Sequence, residues 1–442
     1  MMAKTKKKET LTPEERLQAV LVPDWEQPYK VPENWCWIHL LDSFENCTDS
    51  KKKIPQKEYL KDGKIAVVDQ GQNVIGGYTN DREMIFAGNV PVIIFGDHTR
   101  CIKYIDFPFA QGADGVKVLK PKQFFNEKAF YYAFQTVDIP NMGYRRHFPL
   151  FDKYAIPVPP LSEQQRIVDR IESLFTKLDE AKQRAQDALD SFETRKAAIL
   201  HKAFTGELTV QWRKEHDVGM ESWSNTTLSK IVVGFKYGTS EKSDYSYKGM
   251  PVFRIPNITD DGLSFEDLKF LPYKNVPDEN QIHENDILII RSNGSRKLVG
   301  KSVLVPRLDQ EYTYASFLIR IQTLESVLPN YLVLYLNSSD ARRQMFKKAK
   351  SSAGINNINS KELGAILIEL PSLFEQTEIV RILDTLLAKE QQAKEAVEEV
   401  LEQINLIKKA ILACAFRGKL GTNDPSEESA ENLMKRVIGR GE

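Results

Sequence analysis

The stretch Gly294-Ser-Arg-Lys-Leu-Val-Gly300-Lys301-Ser302 is the part of this sequence that comes nearest to a phosphate-binding loop. A true loop of that kind has four residues between its glycines, which fixes the nest of backbone N–H groups around the phosphates, and it opens a helix. Here five residues intervene, and Val303-Leu304-Val305-Pro306 has the pattern of a strand end. The stretch therefore reads as a turn. The six histidines (His39, His98, His147, His201, His216, His283) show no metal-ligand spacing, and no Gly-x-Ser-x-Gly nucleophile elbow is present. Four scattered cysteines (Cys36, Cys47, Cys101, Cys414) lack the CxxC spacing of a zinc or redox site. Also missing is the Asn/Asp-Pro-Pro-Tyr/Phe tetrapeptide that holds a target adenine's amino group. Paired carboxylates, Asp260-Asp261 and Asp278-Glu279, fall in turn contexts. No complete active site emerges, and the chain is expected to bind or position something on which another protein acts.

Composition fits that reading. The 442 residues suffice for two or three compact units, with 41% hydrophobic and 28% charged residues. Lys+Arg and Asp+Glu number 61 each, so the chain is neutral overall. No apolar run approaches the roughly 18 residues of a membrane helix, and no apolar signal core follows Lys4, Lys6, Lys7 and Lys8, which read as a disordered tail. Membrane, collagen-like, disulfide-rich and largely disordered classes are excluded.

A repeat organises the chain. Residues Glu163 to Leu208 align without a gap onto Glu375 to Leu420, with 17 identities in 46 positions. These include Glu163-Gln164 against Glu375-Gln376, Ile167-Val168 against Ile379-Val380, and Ala203-Phe204-x-Gly206-x-Leu208 against Ala415-Phe416-x-Gly418-x-Leu420. Prolines stand before each copy and a glycine closes it, the expected stops of a helix. Ile167, Ile171, Leu174, Leu178, Ala181, Ala185, Ala188 and Phe192 follow a four-three spacing. Ile379, Leu383, Leu386, Ala393, Val397, Val400 and Ile404 do the same, interrupted by Glu390. Some 40 helical residues make a rod of roughly 60 Å, and so narrow an apolar stripe needs a partner helix. The other copy is the economical partner; the spacing alone leaves parallel and antiparallel pairing open.

A looser repeat precedes each helix, beginning at Trp35-x4-Leu40 and Trp223-x4-Leu228. Apolar runs predict strands at 65–68, 92–95, 101–105, 116–119 and 154–158 in the first copy, with a helix over 128–137. In the second they predict strands at 252–255, 287–290, 302–305, 317–321 and 365–370, with a helix over 331–348. The fold class expected is α+β: two α/β domains separated by two long helices. The divisions are a tail and short helix (1–28), a first domain (29–160), a first helix (161–208) and a connector (209–220). A second domain (221–371), a second helix (372–420) and a tail (421–442) follow.

The pattern Pro-x-Pro-Pro-Leu-x-Glu-Gln-x-x-Ile-Val at 157–168, its relative Leu-Pro-Ser-Leu-x-Glu-Gln-x-x-Ile-Val at 370–380, the two Ala-Phe-x-Gly-x-Leu exits and the Trp-x4-Leu starts resemble the specificity subunit of type I restriction–modification enzymes. The resemblance runs from about Leu11 to Leu420. It implies two target recognition domains, each reading one half of a bipartite, asymmetric double-stranded DNA site, and two helices paired antiparallel as a ruler for the unread spacer. It further implies a cytoplasmic, non-catalytic chain. Two methyltransferase subunits would methylate adenine at N6, and restriction subunits would complete the complex. No cofactor is expected on this chain; S-adenosylmethionine, ATP and Mg would be used by the partner subunits. The competing reading is a coiled-coil scaffold whose globules bind protein.

A neutral chain that binds DNA must do so through local clusters. Residues 223–361 carry 19 Lys+Arg against 14 Asp+Glu, and residues 31–150 carry 15 against 14. Candidate base contacts in the second domain are Arg291, Asn293, Ser295, Arg296 and Lys297 in one loop, with Asn356 and Asn357. Arginine suits guanine and asparagine suits adenine in bidentate pairings. In the first domain the candidates are Gln70, Gln72 and Asn73, then His98 and Arg100, then Tyr144, Arg145 and Arg146. Lys51–Lys53, and Arg342-Arg343 with Lys347-Lys348, suit phosphates.

Overall fold

A computed structural model describes residues 12–439 except 114 and 353; Lys4–Lys8 lie outside the described residues. The long helices span Leu161–Phe204 and Leu373–Ala415. Gly206 and Gly418 follow them with φ of +77° and +69°, left-handed conformations that glycine adopts without a Cβ penalty. The chain divides into two compact units, one formed by residues 1–185 and 400–442 and the other by residues 186–399. Each unit therefore holds one domain, the start of that domain's own helix and the end of the other.

Both units pair their helix segments antiparallel. In the first, Asp179 meets Lys408 at 2.5 Å, and the Lys408 ammonium lies over the Phe175 ring. In the second, Arg195 bonds Glu390 at 2.9 Å. Glu390, the break in the heptad pattern, is thus an interhelical ion pair. The apolar seam is buried most toward the ends of the helix pairing and, between them, at Phe192 and Ile404. Ile167 and Ile171 join Leu412, Ala415 and Phe416 in the first unit's core; Ile379 and Leu383 join Leu200, Ala203 and Phe204 in the second's. Ala181, Ala393 and Val400 are exposed, against the continuous seam expected. Short alanine and valine side chains bury little in a two-helix contact, whereas the longer Phe192 and Ile404 are buried.

The domains repeat one plan. In the first, a four-stranded sheet has the order Phe44–Asn46, Val116–Pro121, Val92–Gly96, Ile102–Ile105. A three-stranded sheet has the order Gly77–Thr79, Ile65–Val68, Phe109–Gln111, its last pair parallel. In the second domain the corresponding orders are Val232–Tyr237, Leu318–Thr323, Ile287–Ile290, Ser302–Leu304 and Lys269–Leu271, Met250–Phe253, Thr313–Tyr314, again with a parallel last pair. Each domain closes with a two-stranded ladder, Cys36–His39 on Ala155–Val158 and Ser224–Thr227 on Leu367–Leu370. Among the described residues only the second domain adds a small sheet, of Ser292–Asn293, Ile355–Asn357 and Lys350–Ser352. The single helix expected over 331–348 is two, Pro329–Leu336 and Ser339–Lys348. Ser338 caps the second by accepting from the Ala341 N–H, and Asn337 turns away to bond both main-chain groups of Ser302.

The repeated Glu-Gln pair joins domain to helix. Trp35 donates its indole N–H to Glu163 at 2.7 Å, and Trp223 donates to Glu375 at 2.9 Å. Gln164 accepts from the Asn126 N–H and donates to the carbonyls of Phe124 and Pro159. Gln376 does the same with the Leu328 N–H and the carbonyls of Ser326 and Pro371. All four side chains are fully buried. The exit of the opposite helix completes each carboxylate's shell: Thr422 and Asn423 donate to Glu163, Thr209 and Arg213 to Glu375. Segment 421–439 stays on the first unit, where Arg166 makes a bidentate pair with Glu427 and the helix Ala430–Gly439 buries Ala430 and Met434.

Glu375 neutralises a buried arginine, whereas the hydroxyl, amide and indole partners named for Glu163 are uncharged. Glu375→Ala is expected to destabilise the second unit by about 3–5 kcal/mol, the cost of stranding a buried charge. Glu163→Ala should cost the first unit about 1–3 kcal/mol. Urea titration read by amide exchange resolves the two units; equal losses would remove the distinction.

Candidate nucleic-acid interface

Three segments chosen separately from the first domain's sequence converge. The turn after Ile65–Val68 carries Gln70, Gln72 and Asn73; the hairpin between Val92–Gly96 and Ile102–Ile105 carries His98 and Arg100; the loop after helix Glu127–Phe134 carries Tyr144, Arg145 and Arg146. Gln70 accepts from the His98 N–H at 3.2 Å, and its carbonyl accepts from the Thr99 hydroxyl at 2.6 Å. The His98 ring stacks on Tyr144, with 5.2 Å between centroids. Gly115, at φ +74°, lets the chain pass here: a Cβ would lie 2.5 Å from the Gln70 amide oxygen. Tyr144 is 89% exposed, and Gln72, Asn73, Arg145 and Arg146 also face solvent. Arg100 differs. Its guanidinium turns inward and donates to the Ile139 carbonyl at 2.8 Å.

A buried pair carries the third loop. Asp97 accepts from the N–H groups of His147 and Phe148 at 2.9 and 2.7 Å. His147 Nδ1 lies 2.8 Å from the Asp97 carbonyl, and Nε2 accepts from the Met142 N–H, which assigns the proton to Nδ1. Neither residue stands out in sequence, because each acts through a partner some fifty positions away.

In the second domain the loop 291–297 and Asn356-Asn357 meet as neighbouring strands, with Ser292 opposite Asn357 and Asn293 opposite Asn356. Arg291 lies over the Tyr237 ring and donates to the Asn357 side-chain oxygen at 3.3 Å. Asn293 accepts from the Ser295 N–H, and Asn356 donates to the Gly294 carbonyl. Each of the three asparagines thus has one end of its amide engaged by protein. Ser295, Arg296 and Lys297 are exposed, although one Arg296 nitrogen donates to the Phe346 carbonyl. Arg342, expected on phosphate, instead donates to the carbonyls of Val299 and Lys297.

The duplicated topology marks, in the second domain, a counterpart of the glutamine-bearing turn that was not among the candidate base contacts. In each domain one connection runs from the central strand of the three-stranded sheet to its antiparallel neighbour: residues 69–76 in the first, 254–268 in the second. The second is longer and fixed by Asp260 on Lys301 at 2.7 Å, a hydrogen bond that holds the carboxyl below its usual range. Strand order was its only signal.

Burial pushes the Cys36 thiol up to about 12 and raises Cys47 and Cys101 as well, away from a nucleophilic thiolate. Among the described residues no group of His, Cys, Asp and Glu could hold a metal ion, and no helix is long and apolar enough to cross a membrane.

Two mixed domains of one plan, each seated on an antiparallel pair of helix segments, define the class. Residues 32–189 and 220–403 match the model of the type I restriction modification DNA specificity domain, and the chain belongs to that family. It is 30% identical over 297 residues to the EcoKI specificity subunit of Escherichia coli K12, covering 65% of this chain and 63% of that protein. To the StySPI specificity subunit of Salmonella potsdam it is 27% identical over 273 residues, covering 61% and 58%. The chain thus spans about six tenths of the length of these relatives. The fold is shared with a chain solved in work on the assembly and conformational transition of a type I R-M system (TM-score 0.63, 20% identity, 89% of this chain and 100% of that one). The HsdS subunit of Thermoanaerobacter tengcongensis shares it too, with a TM-score of 0.54, 19% identity and coverage of 89% and 99%.

Asp97→Ala removes the carboxylate that accepts from the Phe148 N–H and shares the His147 N–H with the Asp97 carbonyl, and is expected to loosen the 141–146 loop while sparing the sheets. Limited trypsin digestion should then cut at Arg145 or Arg146 at least tenfold faster; an unchanged rate would show that the pair does not hold the loop.

Proposed function

We propose that this chain is the DNA sequence-specificity subunit of a type I restriction–modification complex. Each domain reads one half of a bipartite, asymmetric site, and the paired helices set the number of unread base pairs between the halves. The chain itself does no chemistry. It directs two methyltransferase subunits to adenine N6 and, where restriction subunits are present, directs them to unmodified DNA in the cytoplasm. S-adenosylmethionine, ATP and Mg belong to those partners.

The duplicated domain with two unlike polar faces carries this reading. Identical faces would suit a palindrome; these suit two different half-sites, with the common plan supplying geometry and the loops supplying the contacts. Gln70, Gln72, Asn73, His98, Tyr144, Arg145 and Arg146 form the proposed face of the first domain, with Arg100 behind it. Asn293, Ser295, Arg296, Lys297, Asn356 and Asn357 form that of the second, with Arg291 behind. One engaged amide end in each asparagine favours single hydrogen bonds to base edges over the bidentate pairing with adenine.

Mapping N6-methyladenine across the genome of host cells with and without this gene tests the function. The expected result is loss of one bipartite motif; an unaltered methylation map would overturn the proposal. The helices give a second test. Inserting about four residues, one helical turn, beside Ala185 should lengthen the unread spacer while leaving both half-sites as they were. An unchanged spacer would remove the ruler role.

A further inference from the structure

Lys103 is an unusual occupant of its position. It lies in the inner part of strand Ile102–Ile105, paired with Ile94, and only 4% of it is exposed. An ammonium left unpaired there would be strongly disfavoured. Its acceptors all come from one short segment: the Asp69 carbonyl at 2.7 Å, the Asn73 carbonyl at 2.5 Å and, more weakly, the Asp69 carboxylate at 3.5 Å. That segment starts and ends on Lys103, and between its ends stand Gln70 and Gln72. The Asp69 carboxylate also accepts from the Gly71 N–H, tightening the same turn.

The second domain has a counterpart built from a different residue. Arg342, in helix Ser339–Lys348, directs its guanidinium to the carbonyls of Lys297 and Val299, at the far end of the loop that carries Asn293, Ser295 and Arg296. It also lies over the Phe346 ring, which Arg296 shares. In both domains a cation turned away from solvent spends its hydrogens on main-chain carbonyls of the proposed reading loop. A cation evolved for phosphate would face outward.

We propose that Lys103 and Arg342 are positioning residues for base recognition, each fixing the loop of one domain and so setting the specificity of one half-site without touching DNA. This rests on the specificity-subunit reading above. Held at two carbonyls, each loop presents its amides and guanidinium in one orientation. Released, the same side chains would still meet the groove but would discriminate poorly among bases.

The test uses the full chain co-expressed with its partner subunits, with Lys103→Met and Arg342→Met compared by the base-by-base degeneracy of the methylated motif. Lys103→Met is expected to relax discrimination about tenfold at one or more positions of one half-site while the other half stays sharp. Arg342→Met should relax the opposite half. Arg342→Lys, which keeps the charge, should recover part of the loss. General destabilisation would blur both halves together, and that outcome, or an unchanged motif in both variants, overturns the proposal. If either Met variant fails to fold, amide exchange on the wild-type complex without DNA decides. The Gly71 and Gly76 amides, and those of Leu298 and Gly300, should be protected at least tenfold beyond the exposed 141–146 loop; equal rates overturn the proposal. A wild-type complex with no bipartite motif would remove the specificity-subunit reading itself, a failure distinct from any variant result.

Discussion

A buried carboxylate in the first turn of each long helix is the constraint on which the rest depends. Glu163 and Glu375 are fully buried, and an ionised group in that position must find several donors or be expelled. Both find a tryptophan at the start of their domain and two donors from the exit of the opposite helix. One side chain thereby ties three distant stretches of chain together. The neighbouring glutamine adds a fourth tie, to the turn before the domain's helix. This is why the internal repeat is strict at its two ends. The ends are where helix, domain and returning helix share a core, while the more exposed stretch between them includes the Asp179–Lys408 and Arg195–Glu390 pairs named above.

On this fixed frame the two domains differ where the frame does not need them to agree. Sheet orders, the parallel strand pair and the closing ladder are common to both. The first domain spends its variation on a histidine–tyrosine stack and a glutamine-rich turn, the second on an added three-stranded sheet bearing asparagines. A protein proposed to read two different half-sites requires such a division. Anchoring residues stay constant so that geometry is kept, and the loops are free to change.

Much of the fold is legible in the sequence because its signals are local or periodic. The helices announce themselves through prolines, closing glycines and a sustained seam, and the central strands through runs such as Ile287–Ile290. The two-helix break is less visible, since Ser338 as a cap and Asn337 as a bond to Ser302 matter only after folding. Arg100 and Arg342 read as surface cations because composition gives no sign of the carbonyls that claim them. Glu390 reads as a flaw in the seam, yet its partner lies 195 residues away. The candidate loops were separable in sequence, but their convergence was not. Hydrogen bonds between segments such as Gln70 and His98 leave no periodic trace.

The most direct measurement of the account replaces residues 29–160 with the corresponding domain of a specificity subunit whose target differs, keeping both long helices, and sequences the methylated motif that results. Two independent readers on a common frame predict that one half of the motif changes to the donor's, while the other half and the spacing between them persist. A motif altered in both halves, or in neither, would contradict it.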